Sequence, residues 1–174
     1  KKSFHISKQV GTSNFFLERL FNSVIQASKR IKNETKISSG ITSVSFASVN
    51  YILEQVNLKP AKNILLFGTG KIGRNTCENL VKHTANKHIT LINRTREKAE
   101  QMAGKFNLTV KDINCLEEEI EKADILIVAT GAQKPTISPK LIRKDKSLLI
   151  LDLSIPKNVH ESVQELPYVD LLHL

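Results

Sequence analysis

Three short stretches bring together residue types that can do chemistry: Gly68-Thr69-Gly70-Lys71-Ile72-Gly73, Asn93-Arg94-Thr95 and Thr130-Gly131. The first is a G-x-G-x-x-G run. Its first glycine permits a tight turn, its second lets backbone N–H groups approach a pyrophosphate, and its third lets a helix pack against the strand before it. A Gly-rich surface turn would look the same in isolation, so the flanking residues decide. Asn63-Ile64-Leu65-Leu66-Phe67 ahead of the run is apolar and short, as in a strand buried on both faces. Behind it Ile72, Cys77, Leu80 and Val81 fall on one side of a helix, and His88 to Ile92 closes the unit as a second strand. The spacing predicts a dinucleotide site whose phosphates meet Gly68, Thr69, Gly70, Lys71, Ile72 and Gly73 at the start of that helix.

The second stretch predicts which dinucleotide. A site for NAD places a carboxylate about 20 residues beyond the glycines to take the ribose 2′-hydroxyl, whereas a 2′-phosphate requires neutral or cationic groups there. This chain has Asn93-Arg94-Thr95 instead. Arg94 can pair with a phosphate through its planar fork, and Asn93 and Thr95 can add donors, which points to NADPH. The plainer alternative makes Arg94 a solvated loop residue and Thr95 only the cap of a helix starting at Arg96. Thr130-Gly131 follows the apolar run Asp124 to Ala129, which puts it at the carboxyl edge of a sheet, where such folds bind ligands.

These residues need a scaffold, and the chain supplies an alternating one. Thr12-Ser13-Asn14 offers caps for a helix in which Leu17, Leu20, Phe21, Val24, Ser28 and Ile31 keep helical spacing to about Lys32. The end of that helix is basic, with Lys29, Arg30, Lys32 and Lys36, which suits either the helix macrodipole or an acidic ligand. Gly40 and Thr42-Ser43 separate it from a second helix carrying Val49, Ile52, Leu53 and Val56, which Pro60 ends. After Thr95 follow a helix from Arg96 to about Phe106, a strand near Leu108 to Val110 and a helix to Lys122 introduced by Asn114-Cys115-Leu116-Glu117 as a variant capping box. Next come the strand Asp124 to Ala129, a short helix from Ser138-Pro139, a strand from Ser147 to Leu153 and an edge strand from Tyr168 to Leu172. The expected fold is α/β: a Rossmann-type doubly wound parallel sheet preceded by two helices, with residues 1–58 as a helical segment and 59–174 as the nucleotide domain.

With 174 residues and 40% hydrophobic content, the chain can bury a sizeable core. No apolar run reaches the roughly 18 residues of a membrane helix. Lys1-Lys2-Ser3-Phe4 lacks both an initiating Met and a signal-peptide core, so the expectation is a cytoplasmic protein of which this chain is an excised part. The formal net charge of +9 is compatible with a polyanionic partner, RNA included. Cys77 falls on the buried side of its helix. Cys115 starts an acidic helix where Glu117, Glu118 and Glu119 oppose a thiolate, so neither cysteine is expected to act as a nucleophile. The five histidines are dispersed without ligand or triad spacing, and no metal site is expected.

Lys29 to Ser45 (KRIKNETKISSGITSVS), the Gly68 to Gly73 loop, Asn93-Arg94-Thr95 with Lys98-Ala99, and Leu149 to Val159 (LILDLSIPKNV) together resemble the glutamyl-tRNA reductase family over essentially the whole chain. The resemblance implies the NADPH-binding domain of an enzyme that reduces glutamyl-tRNA(Glu) to glutamate-1-semialdehyde for tetrapyrrole synthesis. It further implies an upstream domain with a nucleophilic cysteine, a downstream dimerisation domain, a homodimer, no membrane association, and channelling of the product to glutamate-1-semialdehyde aminomutase. The present chain alone would be inactive, since it carries no cysteine suited to hold the glutamyl group. Shikimate dehydrogenases share Asn-Arg-Thr but not KRIKNET or LDLSIPKNV, and their cofactor domain is the alternative within the fold. A non-catalytic nucleotide- or RNA-binding module is the alternative outside enzymology. Thr69 and the Asn158-Val159-His160 turn depart from the reductase pattern, which commonly has Ala and then an acidic residue with Pro.

Overall fold

The computed structural model describes residues 2–34, 43–55, 61–84, 86, 88–143 and 146–173. Lys36, Gly40, Thr42, Val56 and Pro60, which figure in the sequence reading, lie outside them. The chain forms two units, Lys1–Thr42 and Ser43–Leu174. In the first, α1 (Lys2–Gln9) precedes α2 (Phe15–Glu34). Asn14 Oδ1 accepts from Leu17 N (2.9 Å), so Asn14 is the capping side chain of α2. Phe4 stacks on Phe21 with ring centroids 3.9 Å apart, and Lys8 pairs with Glu18 at 3.1 Å.

The second unit opens with α3 (Val44–Gln55), capped by Ser43 Oγ accepting from Phe46 N (3.2 Å). Then β1 (Ile64–Phe67), α4 (Lys71–His83), β2 (Ile89–Ile92), α5 (Arg96–Phe106) and β3 (Thr109–Lys111) form one half of the sheet. The other half is α6 (Leu116–Lys122), β4 (Ile125–Val128), β5 (Leu148–Asp152) and β6 (Val169–His173), with 3₁₀ turns at Ile113–Cys115, Pro139–Leu141 and Glu161–Glu165. All strands are parallel, in the order β3-β2-β1-β4-β5-β6. The two halves meet between β1 and β4, the topological switch point of a dinucleotide-binding sheet.

Every residue of β1, β4 and β5 is buried because helices cover both faces, which is why these strands read as continuous apolar runs. On one face Ile64, Leu66, Ile125 and Ile127 pack with Val49 and Ile52 of α3 and Cys77 and Leu80 of α4. On the other, Leu65, Phe67, Leu126 and Val128 pack with Ile120, Ile137 and Val163. Thus α3, part of the 1–58 segment read from the sequence as packing on or linking to the nucleotide domain, packs on β1, β4 and α4. Its expected apolar stripe is narrower than read, since Leu53 is 41% exposed.

Two local expectations change. A third helix, α1, precedes the two foreseen. The capping box at Asn114 to Glu117 does not form. Instead Asp112 Oδ1 accepts from Asn114 N (3.0 Å) and initiates the 3₁₀ turn that feeds α6, while Cys115 at the α6 cap gives no side-chain bond. Asp112 sits two residues ahead of the N–H it accepts, the short reach an Asx turn requires. Among the described residues no helix is long and apolar enough to cross a membrane.

Candidate functional site

The carboxyl ends of β1, β2 and β4 converge on one cleft of about 760 Å³. Gly68 leaves β1 with φ of +105°, and a Cβ there would overlap the Ala129 carbonyl at the end of β4. Gly73 lies directly under Gly68, where a Cβ would run into the Gly68 carbonyl and meet Ala129 Cβ at 3.4 Å. These two glycines let strand and helix approach each other. Gly70 is different: its φ is −66°, and a Cβ built on it meets nothing within 4 Å. Space above Gly70 is therefore open, and Gly70 caps α4 without a side chain, so the N–H groups of the first turn face that space unclaimed by a cap. Thr69 Oγ1 is buried and has no hydrogen-bond partner among the described residues.

At the end of β2, Asn93 spends its amide on backbone. Its Oδ1 accepts from Thr69 N (3.2 Å) and its Nδ2 donates to Thr95 O (2.7 Å). It therefore splints the glycine loop to the β2–α5 turn through its oxygen and one of its two Nδ2 hydrogens. Thr95 occupies the cap position of α5 without a side-chain bond, so its hydroxyl is not consumed there. Arg94 is exposed on the cleft and makes no ion pair among the described residues, whereas Arg96 is held by Glu100 at 2.8 Å.

The cleft brings together Gly68, Thr69, Gly70, Lys71, Asn93, Arg94, Thr95, Thr130 and Gly131. Ile72 and Gly73 do not line it. Ile72 packs into the α3–α4 core and accepts from Ser45 Oγ (3.2 Å) and Thr76 Oγ1 (2.9 Å) through its carbonyl, and Gly73 is buried beneath the loop. Arg74 and Gln101, which sequence reasoning missed, and Lys98, which it quoted only within the family resemblance, also line the cleft. Helical spacing was the available signal: Lys98 stands one turn beyond Arg94, and Arg74 follows the third glycine directly. Among the described residues Lys71, Arg74, Arg94 and Lys98 give the cleft four cations, and no carboxylate lines it. An open cradle at Gly70, uncapped N–H groups and this charge fit an NAD(P)-type dinucleotide.

The far end of the cleft rests on a buried polar network. Asp152 is 1% exposed at the end of β5; its Oδ1 accepts from Ser154 N (3.1 Å) and its Oδ2 from Asn158 N (2.7 Å) and Val159 N (2.9 Å). His173 Nδ1 lies 3.4 Å from the same Oδ2. Thr130 N donates to Ser154 Oγ (3.1 Å), and Thr130 Oγ1 to Asn158 Oδ1 (2.7 Å).

Neither cysteine belongs to the cleft. Cys77 is fully buried in α4, and burial, assisted by the charge of Glu78, pushes its thiol up to about 12. The unfolded thiol ionises first, so the stability this burial supplies is intact below about pH 9 and is lost as pH rises toward 12. Iodoacetamide on the native chain at pH 8 is expected to modify the half-buried Cys115 and spare Cys77 until denaturant is added. Equal native rates, read by peptide mass spectrometry, would contradict this burial. Among the described residues no group of three His, Cys, Asp or Glu side chains is placed to hold a metal ion.

A family model described as Shikimate / quinate 5-dehydrogenase matches residues 49–174. The glutamyl-tRNA reductase of Christiangramia forsetii is 70% identical over 174 residues, all of this chain and 42% of that protein. Glutamyl-tRNA reductase 2 of Flavobacterium johnsoniae is 64% identical over the same length, 40% of that protein. The solved glutamyl-tRNA reductase of Methanopyrus kandleri is 25% identical, with a TM-score of 0.69 over 99% of this chain and 45% of that one. The chain spans about two fifths of the length of the curated relatives it matches.

Proposed function

This chain belongs to the shikimate/quinate 5-dehydrogenase family, and from that premise we propose that it is the part of a glutamyl-tRNA reductase that binds NADPH and presents its hydride. The identity of 64–70% to proteins of that name, over the whole chain rather than the family's nucleotide domain alone, favours this reading over a shikimate dehydrogenase. In the longer protein, glutamyl-tRNA(Glu) would be the substrate, other domains would supply the acyl-holding cysteine and the dimer contacts, and residues 59–174 would act as the cofactor domain after a helical segment 1–58.

The observation that carries the choice of NADPH is the cleft's four cations with no carboxylate. Bound NADPH would supply a hydride. The chain's own residues bind and orient: the first-turn N–H groups of α4 take the pyrophosphate over Gly70, and Arg94 with Thr95 takes the 2′-phosphate. Asn93 fixes the distance between those two sites, and Thr130-Gly131 bounds the nicotinamide. Titration of the chain, followed by nicotinamide fluorescence, is expected to give at least about tenfold tighter binding for NADPH than for NADH, since one charge-assisted phosphate contact distinguishes them. Tighter binding of NADH would refute the assignment of Arg94.

A further inference from the structure

Asn158 departs from the pattern of the family this chain resembles, yet among the described residues it is the most heavily bonded side chain beside the cleft. It is fully buried. Its Nδ2 donates to Ala132 O and to Pro156 O, both at 2.9 Å, and its Oδ1 accepts from Thr130 Oγ1 (2.7 Å) and Thr136 Oγ1 (3.3 Å). Two donor hydrogens and two acceptor positions are all that an asparagine amide has, and here all four are used. Its backbone is engaged as well: its N–H by Asp152 Oδ2, its carbonyl by Thr136 N (2.8 Å) and Ile137 N (3.0 Å). The bonds join the turn after β5 to the segment that follows β4. That segment, through Thr130, Gly131, Ala132 and Thr136, forms one wall of the cleft.

We propose that Asn158 is a positioning residue that holds the Thr130–Thr136 wall in place for the nicotinamide half of the cofactor. Among the described residues it makes no hydrogen bond to the loop at Gly68–Gly70 or to Arg94, so its hydrogen bonds act on one end of the cleft. A wall made of loop backbone with a Gly at 131 has little rigidity of its own, and a saturated amide behind it supplies the missing order. The proposal rests on the dinucleotide reading above.

The test separates the two halves of the ligand in the full chain. 2′,5′-ADP reports the adenosine and 2′-phosphate end, and NADPH reports both ends. Asn158→Ala is expected to weaken NADPH about tenfold, to leave 2′,5′-ADP within about twofold, and to alter the emission of bound NADPH because the nicotinamide is less confined. Thr130→Val tests the same tether without emptying the core, because it keeps the side-chain volume and removes only the hydroxyl that Asn158 holds. It is expected to reproduce the split. Unchanged NADPH affinity in Asn158→Ala or Thr130→Val, or equal loss of NADPH and 2′,5′-ADP, would overturn the proposal. A wild-type chain that binds neither ligand would overturn the cofactor reading itself, which is a distinct result.

Discussion

Arg94→Ala is expected to weaken NADPH binding roughly 10- to 100-fold and to leave NADH nearly unchanged. A hydrogen bond to a charged group is worth about 1.5–3 kcal/mol, and about 1.4 kcal/mol corresponds to a factor of ten in affinity. Arg94 is available for this because nothing in the described fold neutralises it, in contrast to Arg96, which Glu100 holds. Calorimetric titration with both cofactors checks the expectation. Equal loss for both would mean that Arg94 supports the turn rather than the phosphate. Asn93→Ala supplies the contrast, since a splint between Thr69 and Thr95 serves any ligand that bridges the two loops and its loss should lower both affinities together.

The other large effect lies in the glycine loop, where two substitutions of the same kind should fail in opposite ways. Gly70→Ala adds a Cβ into empty space at a φ that alanine adopts freely, so the apo chain should keep its melting temperature. The same Cβ occupies the space a pyrophosphate needs, so NADPH and NADH should both bind at least about 100-fold less well, the loss expected when two or more charge-assisted N–H contacts are blocked. Gly73→Ala places its Cβ against the Gly68 carbonyl, which is backbone and cannot swing aside. Overpacking of that kind costs about 1–3 kcal/mol or more and should lower the melting temperature by several degrees before any ligand is added. Melting curves beside cofactor titrations separate the cases. A destabilised Gly70→Ala with unchanged affinity in its folded fraction would reduce the loop to a turn.

Much of this architecture was legible because its signals are local. The β1 and β4 runs are apolar throughout, and β5 up to its terminal Asp152, since both faces are covered, and α5 runs from Arg96 to Phe106, matching the span read from the sequence. What escaped was either weakly patterned or long-range. α1 buries no residue and so leaves no apolar stripe. Asn93 reads only as a donor for a ligand, and its acceptor bond from Thr69, 24 residues away, emerges only in the fold. Asn158 reads as a departure from a motif, and only the approach of Thr130, 28 residues away, turns it into a hub. Ile72 turns its side chain to the core, which leaves only its backbone in the first turn of α4 to serve the site.

The seam between β1 and β4 has a consequence for how the chain acquires its structure. β1 finds β2 after a single intervening helix, but it finds β4 only after α4, β2, α5, β3 and α6 have all been made. Closing the longer loop costs more chain entropy and so comes later. Until then the β1 flank that will receive β4 presents an unpaired row of backbone N–H and C=O groups on an entirely apolar strand, a template for pairing with another chain. The seam at which the ligand would bind is thus also the edge through which a half-synthesised chain is most open to aggregation.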